Sequence, residues 1–256
     1  MSPATPGNPR HRARMIAVEI ATQSLQGART AFTAGADRVE LGSALGLTGG
    51  LTPGGGLLRA VLDVGIPVHV LVRPRPGGFV HDADEADVLL AEVRHAVAAG
   101  AAGVVLGALT PDLTLDEPLI ARLVEAAAGA EVTFHRAIDV VDDPVAVIRR
   151  LDALGVTRVL TSAGAARAVD GLTGLAALVE HAGSVQVMAG GGVRPGDVAA
   201  LASTGVVGVH LSARAERPDP GPVGPGGGTP APLETTDADL VRAAVEAARR
   251  VEPRER

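Results

Sequence analysis

The chain has no cysteine, no lysine, no tryptophan and no tyrosine, and only three phenylalanines among 256 residues. Each gap excludes something. Without cysteine there are no disulfides, no thiolate metal ligands and no cysteine nucleophile. All 23 basic residues are arginine, so Schiff-base chemistry on a lysine is excluded. With so few aromatics, Val, Leu and Ala must fill the core, which suits repeated β/α packing better than an aromatic-centred sandwich. The formal net charge is −6, and no basic stripe is interleaved with aromatics, which argues against a nucleic-acid partner. The longest apolar run, "AVAAGAAGVVLGAL" at 96–109, is too short and too rich in glycine to span a bilayer. The opening "MSPATPGNPRHRAR" is polar and Pro-rich. It reads as a disordered extension over 1–14 rather than a signal peptide, and the expected setting is the cytoplasm.

What is present is a repeat of short apolar strands and helical patterns. The strands read "IAVEI" (16–20), "RVELG" (38–42), "PVHVLVR" (67–73), "GVVLG" (103–107), "EVTFHR" (131–136), "TRVLTS" (157–162), "VQVMAG" (185–190) and "VGVHLSA" (207–213). Helical patterns follow at about 22–34, 54–64, 84–99, 116–128, 143–154, 165–181, 196–203 and 237–251. Gly35, Gly100 and Gly155 stand where a left-handed helix cap belongs. Eight such units predict an α/β fold, a single parallel (β/α)8 TIM-type barrel over 15–252. A Pro/Gly-rich segment at 216–234 leaves from the rim after the eighth strand and is expected to be a loop, with a lid role as one option.

Barrel strands send alternate side chains toward the helices and into the interior. Apolar positions claim the helix side. That leaves Glu19, Glu40, His69, Arg73, Thr133, His135, Gln186, Met188, His210 and Ser212 pointing inward. Buried charges must pair or bind something, because burying them alone costs several kcal/mol each. Glu19, Glu40, Arg73, His135 and Ser212 also fall near the C-terminal strand ends, where barrel enzymes place their chemistry. His69 lies lower and reads as a core histidine. On these residues, Glu19 or Glu40 is the candidate general base and His135 the acid or electrophile. Arg73 and Arg136 are candidate anion clamps. The turn "MAGGGVRPGDVAAL" (188–201) can bring bare N–H groups to an anion. Gly190, Gly191, Gly192, Ser212 and Arg214 therefore form a candidate phosphate site.

The strings "VELGSALGLTGGLTPGGGLL", "VHVLVRPRPGGF", "LTPD", "VTFHRAID", "RVLTSAG", "VMAGGGV" and "VHLSAR" run in order from about residue 16 to residue 214. Together they resemble the CutC family. The resemblance implies a TIM-type barrel, a cytoplasmic location, self-association into a homo-oligomer and a role in copper homeostasis. Relatives often carry a cysteine after Val-Glu-Leu, where this chain has Gly42. Besides the initiator, Met15 and Met188 are the only soft donors, so Cu(I) is poorly served. His135 and His210, with Glu19 or Glu40, are the candidate ligands for a harder metal ion. Two functions stand as expectations: copper binding, and an isomerase or lyase acting on a small phosphorylated or carboxylated metabolite.

Overall fold

The computed structural model describes residues 16–221 and 232–251. In chain order the elements are β1 (Ala17–Thr22), α1 (Leu25–Thr33), β2 (Arg38–Leu41), α2 (Leu45–Thr48), α3 (Gly55–Leu62), β3 (Val68–Leu71), α4 (Ala83–Ala99) and β4 (Gly103–Leu106). There follow α5 (Glu117–Ala126), β5 (Glu131–Phe134), α6 (Pro144–Ala153), β6 (Arg158–Thr161), α7 (Leu172–His181), β7 (Gln186–Gly190) and α8 (Val198–Ser203). The chain closes with β8 (Gly208–Leu211), β9 (Arg214–Arg217), β10 (Leu233–Thr236) and α9 (Ala238–Arg249). Strands β1 to β8 pair in parallel and in order, and β8 returns to β1, so the barrel is closed. The expected extension at 1–14 lies outside the described residues.

The helix starts are set by side chains that satisfy free backbone N–H groups. Ser24 caps α1, Asp116 caps α5, Asp143 caps α6 and Asp237 caps α9. Asp82 and Glu85 form a reciprocal capping box on α4. Ser24 explains why the first helix begins at Leu25 and not at Thr22: the residues before the cap continue β1. The helix-facing strand residues Val18, Ile20, Val39, Leu41, Val68, Val70, Val104, Leu106, Val132, Phe134, Val159, Val187, Val209 and Leu211 are all buried. Each contributes roughly 1.5–3 kcal/mol of transfer free energy, which is how an aliphatic core replaces an aromatic one.

The segment 216–234 is not a plain loop. Its two ends pair antiparallel as β9 and β10, with Glu234 opposite Glu216 and Thr236 opposite Arg214. Residues 222–231 between them lie outside the described residues, where the expected loop, with its optional lid role, falls. Another short element, α2, forms in the rim loop after β2. Among the described residues no helix is long and apolar enough to cross a membrane.

Candidate active site

The inward alternation along the strands brings Glu19, Glu40 and His210 together. His210 Nδ1 lies 2.8 Å from Glu19 Oε1 and 3.9 Å from Glu40 Oε2. One oxygen, one oxygen and one nitrogen from these residues all lie within 4.8 Å of one another. Glu19 is fully buried, and its second oxygen accepts from Arg38 Nε at 2.5 Å. Glu40 Oε2 is also buried, but it has no hydrogen-bond partner among the described residues.

The three groups divide the charge unequally. Burial alone would raise the pKa of Glu19, but the hydrogen bond from His210 and the charge of Arg38 outweigh it and hold Glu19 ionised far below the usual carboxylate range. Burial opposes a charged His210, yet Glu40 and Glu19 raise its pKa above the ordinary value. Glu40 has no such hydrogen bond. Burial raises it, His210 pulls it partly back, Glu19 raises it again, and it titrates at about 7. Two carboxylates share one imidazole, and their surroundings push their pKa values apart, as in acid–base sites.

Glu40 and His210 open onto a cavity of about 210 Å³. Its wall also includes Thr22, Ser24, Ser212, Arg214 and Thr235. The β9–β10 ribbon supplies one side. Glu234 on β10 accepts from Arg214 Nη1 at 2.7 Å and from Gln23 Nε2 at 3.0 Å, and Gln23 Oε1 accepts from Leu45 N. The ribbon is thus tied to the rim loops after β1 and β2. Glu19 does not line the cavity. Strand β1 continues two residues past Ile20, so Glu19 sits a layer lower than expected, level with Arg38 and His210 in the strand register.

Other expected site residues have different neighbours. Arg73 donates to the carbonyls of Thr48, Gly50 and Gly77 at 2.7–2.8 Å and lies over the Phe79 ring. It ties rim loops together through these carbonyls, with no carboxylate partner among the described residues, and its buried Nε makes no hydrogen bond there. His135 is buried against Phe79, and its Nδ1 accepts from Ala137 N. Burial and the nearby charge of Arg73 lower its pKa to about 3, so it is neutral and stands apart from the Glu19–Glu40–His210 cluster. Of the two expected metal-ligating histidines, only His210 joins carboxylates there. Arg136 pairs with Asp139 and donates to Ser162 Oγ.

The expected anion site is divided. Ser212 and Arg214 line the cavity, whereas Gly190, Gly191 and Gly192 are not part of that wall. Gly191 and Gly192 have left-handed φ values of +115° and +60° and pack against Arg136, Ser162 and Arg167. Beside them, the N–H groups of Ser162 and Gly164 are taken by the carboxylate of Asp139. The protein's own acid thus occupies the N–H groups of the loop after β6.

A second polar layer lies at the other end of the barrel. Arg158 is 2% exposed and donates to Thr133, Glu131 and Gln186, while His69 Nε2 lies 3.3 Å from Glu131. The hydrogen bond with His69 and the charge of Arg158 outweigh burial and lower the Glu131 pKa to about 2. Arg38 and Arg158 were missed in the sequence, although alternation contains them: each stands two residues before an inward position on its strand. Strand β4 adds room. A Cβ on Gly103 would lie 3.1 Å from the His69 ring, and one on Gly107 would lie 2.4 Å from the His135 ring.

Comparison with known proteins agrees with this architecture. The CutC family pattern matches residues 16–215. A family protein CutC from Xanthomonas campestris pv. campestris (strain 8004) is 46% identical over 202 residues, covering 78% of this chain and 84% of that one. One from Caulobacter vibrioides (strain NA1000 / CB15N) is 40% identical over 242 residues, covering 93% and 98%. A crystal structure from Streptococcus agalactiae, provisionally named copper homeostasis protein CutC, superimposes with a TM-score of 0.73 at 32% identity. That alignment covers 77% of this chain and 99% of the other. With its barrel, its ordered motifs and these relatives in agreement, the chain belongs to the CutC family.

Proposed function

We propose that this CutC-family barrel is an acid–base enzyme, of isomerase or lyase type, that acts on a small metabolite at the mouth formed by β1, β2 and β8. The observation that carries this reading is Glu40: a buried carboxyl oxygen with no hydrogen-bond partner among the described residues, on the wall of a cavity. A group titrating at about 7 gives and takes a proton with little cost at neutral pH. In this reading Glu40 removes a proton from a carbon or hydroxyl of the bound molecule. His210, its pKa raised by its two carboxylates, donates to the oxygen on which negative charge develops. Return of the proton to a neighbouring atom isomerises the substrate; departure of a group in its place gives a lyase. Glu19 acts through His210, as the fixed anion that orients the imidazole.

The test is solvent exchange. Candidate metabolites in D2O are expected to gain deuterium with the wild-type protein, with a pH profile that bends near 7, and to gain it at least a hundredfold more slowly with Glu40→Gln. Exchange that Glu40→Gln leaves intact would sink the reading.

The same three residues favour a second reading, copper handling. Two carboxylates and an imidazole suit Cu(II) or Zn(II). Cu(I) prefers sulfur, and here Met188 Sδ lies against the Arg38 guanidinium at 2.9 Å. Glu19, Glu40 and His210 would hold the divalent ion, which when bound supplies Lewis acidity to a ligand oxygen. Equilibrium dialysis against Cu(II) and Zn(II) decides the matter: micromolar binding that is lost in His210→Ala supports it, and no binding removes it. A cytoplasmic setting and self-association belong to the same family-based proposal; light scattering on a sizing column checks the latter.

A further inference from the structure

The charges around the cavity are already matched. Arg214 is paired with Glu234 at 2.7 Å, His210 with Glu19 at 2.8 Å, and Arg38 with Glu19. Glu40 stands as a third carboxylate beside them. Among the described residues lining the cavity, no cation is left unpaired for an anionic ligand. A phosphate or carboxylate placed here would be desolvated next to three acids without a counter-charge of its own, which is unfavourable.

Uncharged hydroxyl chemistry is what remains on offer. Thr22, Ser24, Ser212 and Thr235 line the wall. Ser24 Oγ accepts from Gly27 N, which leaves its own hydrogen to donate. Ser212 is exposed to the cavity, and its hydroxyl makes no hydrogen bond among the described residues. Glu40 also belongs to the wall, with its Oε2 buried behind the cavity surface and without a hydrogen-bond partner among the described residues. The cavity is also small. About 210 Å³ holds roughly seven waters, below the roughly 300–1,000 Å³ of drug-sized sites.

We propose that the ligand of this mouth is a small uncharged polyhydroxylated compound, an unphosphorylated sugar or sugar alcohol of roughly four to six carbons. The inference rests on the reading of the mouth as an acid–base site. It departs from the phosphorylated or carboxylated substrate that the glycine turn suggested in the sequence, because that turn is not part of the cavity wall. The hydroxyls of such a ligand hydrogen-bond to Ser212, Ser24 and Thr235, and one of them reaches Glu40.

The experiment is calorimetric titration of the full-length protein with unphosphorylated tetroses to hexoses and the matching sugar alcohols, and with their phosphate esters and sugar acids. At least one neutral compound is expected to bind saturably, with its phosphate ester and its acid at least tenfold weaker. Ser212→Ala is expected to weaken the neutral ligand by about threefold to tenfold, the worth of one hydrogen bond. Tighter binding of a phosphate ester or acid than of the parent compound overturns the proposal, as does no binding of any neutral compound at tens of millimolar. The two readings fail separately. If a neutral compound binds but gains no deuterium from D2O, the acid–base reading falls and the ligand class stands. If only a phosphorylated or carboxylated compound exchanges, the ligand class falls and the acid–base reading stands.

Discussion

Replacing Glu40 by Gln isolates the proton that the mouth holds. In the folded protein the Glu40 carboxyl titrates at about 7, against an ordinary 4.5, with burial as the largest cause. The folded state therefore binds this proton more tightly than the unfolded chain does, by an amount worth about 3 kcal/mol. The sign follows from the raised value. This contribution is fully present below pH 4.5 and is lost as the pH rises through 7. Gln has the shape of the protonated acid and cannot ionise, so the variant keeps what the wild type loses. The stability of Glu40→Gln relative to wild type is expected to grow by about 3 kcal/mol between pH 4.5 and pH 8. Raised His210 also gives stability that is present at low pH and lost as the pH rises; Glu40 is the largest of the groups that raise it, so the substitution lowers His210 too and the two groups contribute to the difference together. Urea unfolding followed by far-UV circular dichroism is the assay, since the chain has no tryptophan or tyrosine to report by fluorescence. A difference that stays flat across this range, or a variant less stable than wild type at pH 8, would refute the reasoning.

Other parts of the molecule give equally direct expectations. A methyl added by Gly107→Ala would lie 2.4 Å from the His135 ring; the variant should lose about 1–3 kcal/mol in chemical denaturation, with part of the loss recovered in the Gly107→Ala, His135→Ala double variant. Gly46→Ala places its Cβ 1.6 Å from Glu234 Oε1, so the Glu234 side chain should swing off Arg214 and Gln23, and hydrogen exchange should quicken at 214–217 and 233–236 while the barrel strands stay protected. Arg158→Ala removes bonds to Thr133, Glu131 and Gln186 and should cost about 3 kcal/mol in urea unfolding; a loss under 0.5 kcal/mol would mean that the lower network contributes little to stability.

The eightfold alternation of apolar strands and capped helices was enough to read the barrel, because strand burial, helix caps and loop glycines are local signals. Alternation along β2 and β8 was likewise enough to turn Glu40 and His210 inward. Local signals were not enough to say how far up the barrel an inward residue sits. Glu19 looked like a mouth residue because its strand seemed to end at Ile20, and Arg73 looked like a free anion clamp because nothing nearby in the chain neutralised it. The carbonyls that hold Arg73 come from a loop more than twenty residues earlier and from Gly77 just after it. The β9–β10 ribbon was hidden by its Pro/Gly-rich connection. By itself, then, the sequence determined the fold and most of the polar groups aimed at the barrel axis, Arg38 and Arg158 excepted. Tertiary structure decided which of them meet, because side-chain direction follows a two-residue period within one strand, whereas height follows the hydrogen-bond register between strands. That register is what puts Glu19 beside His210, 191 residues away.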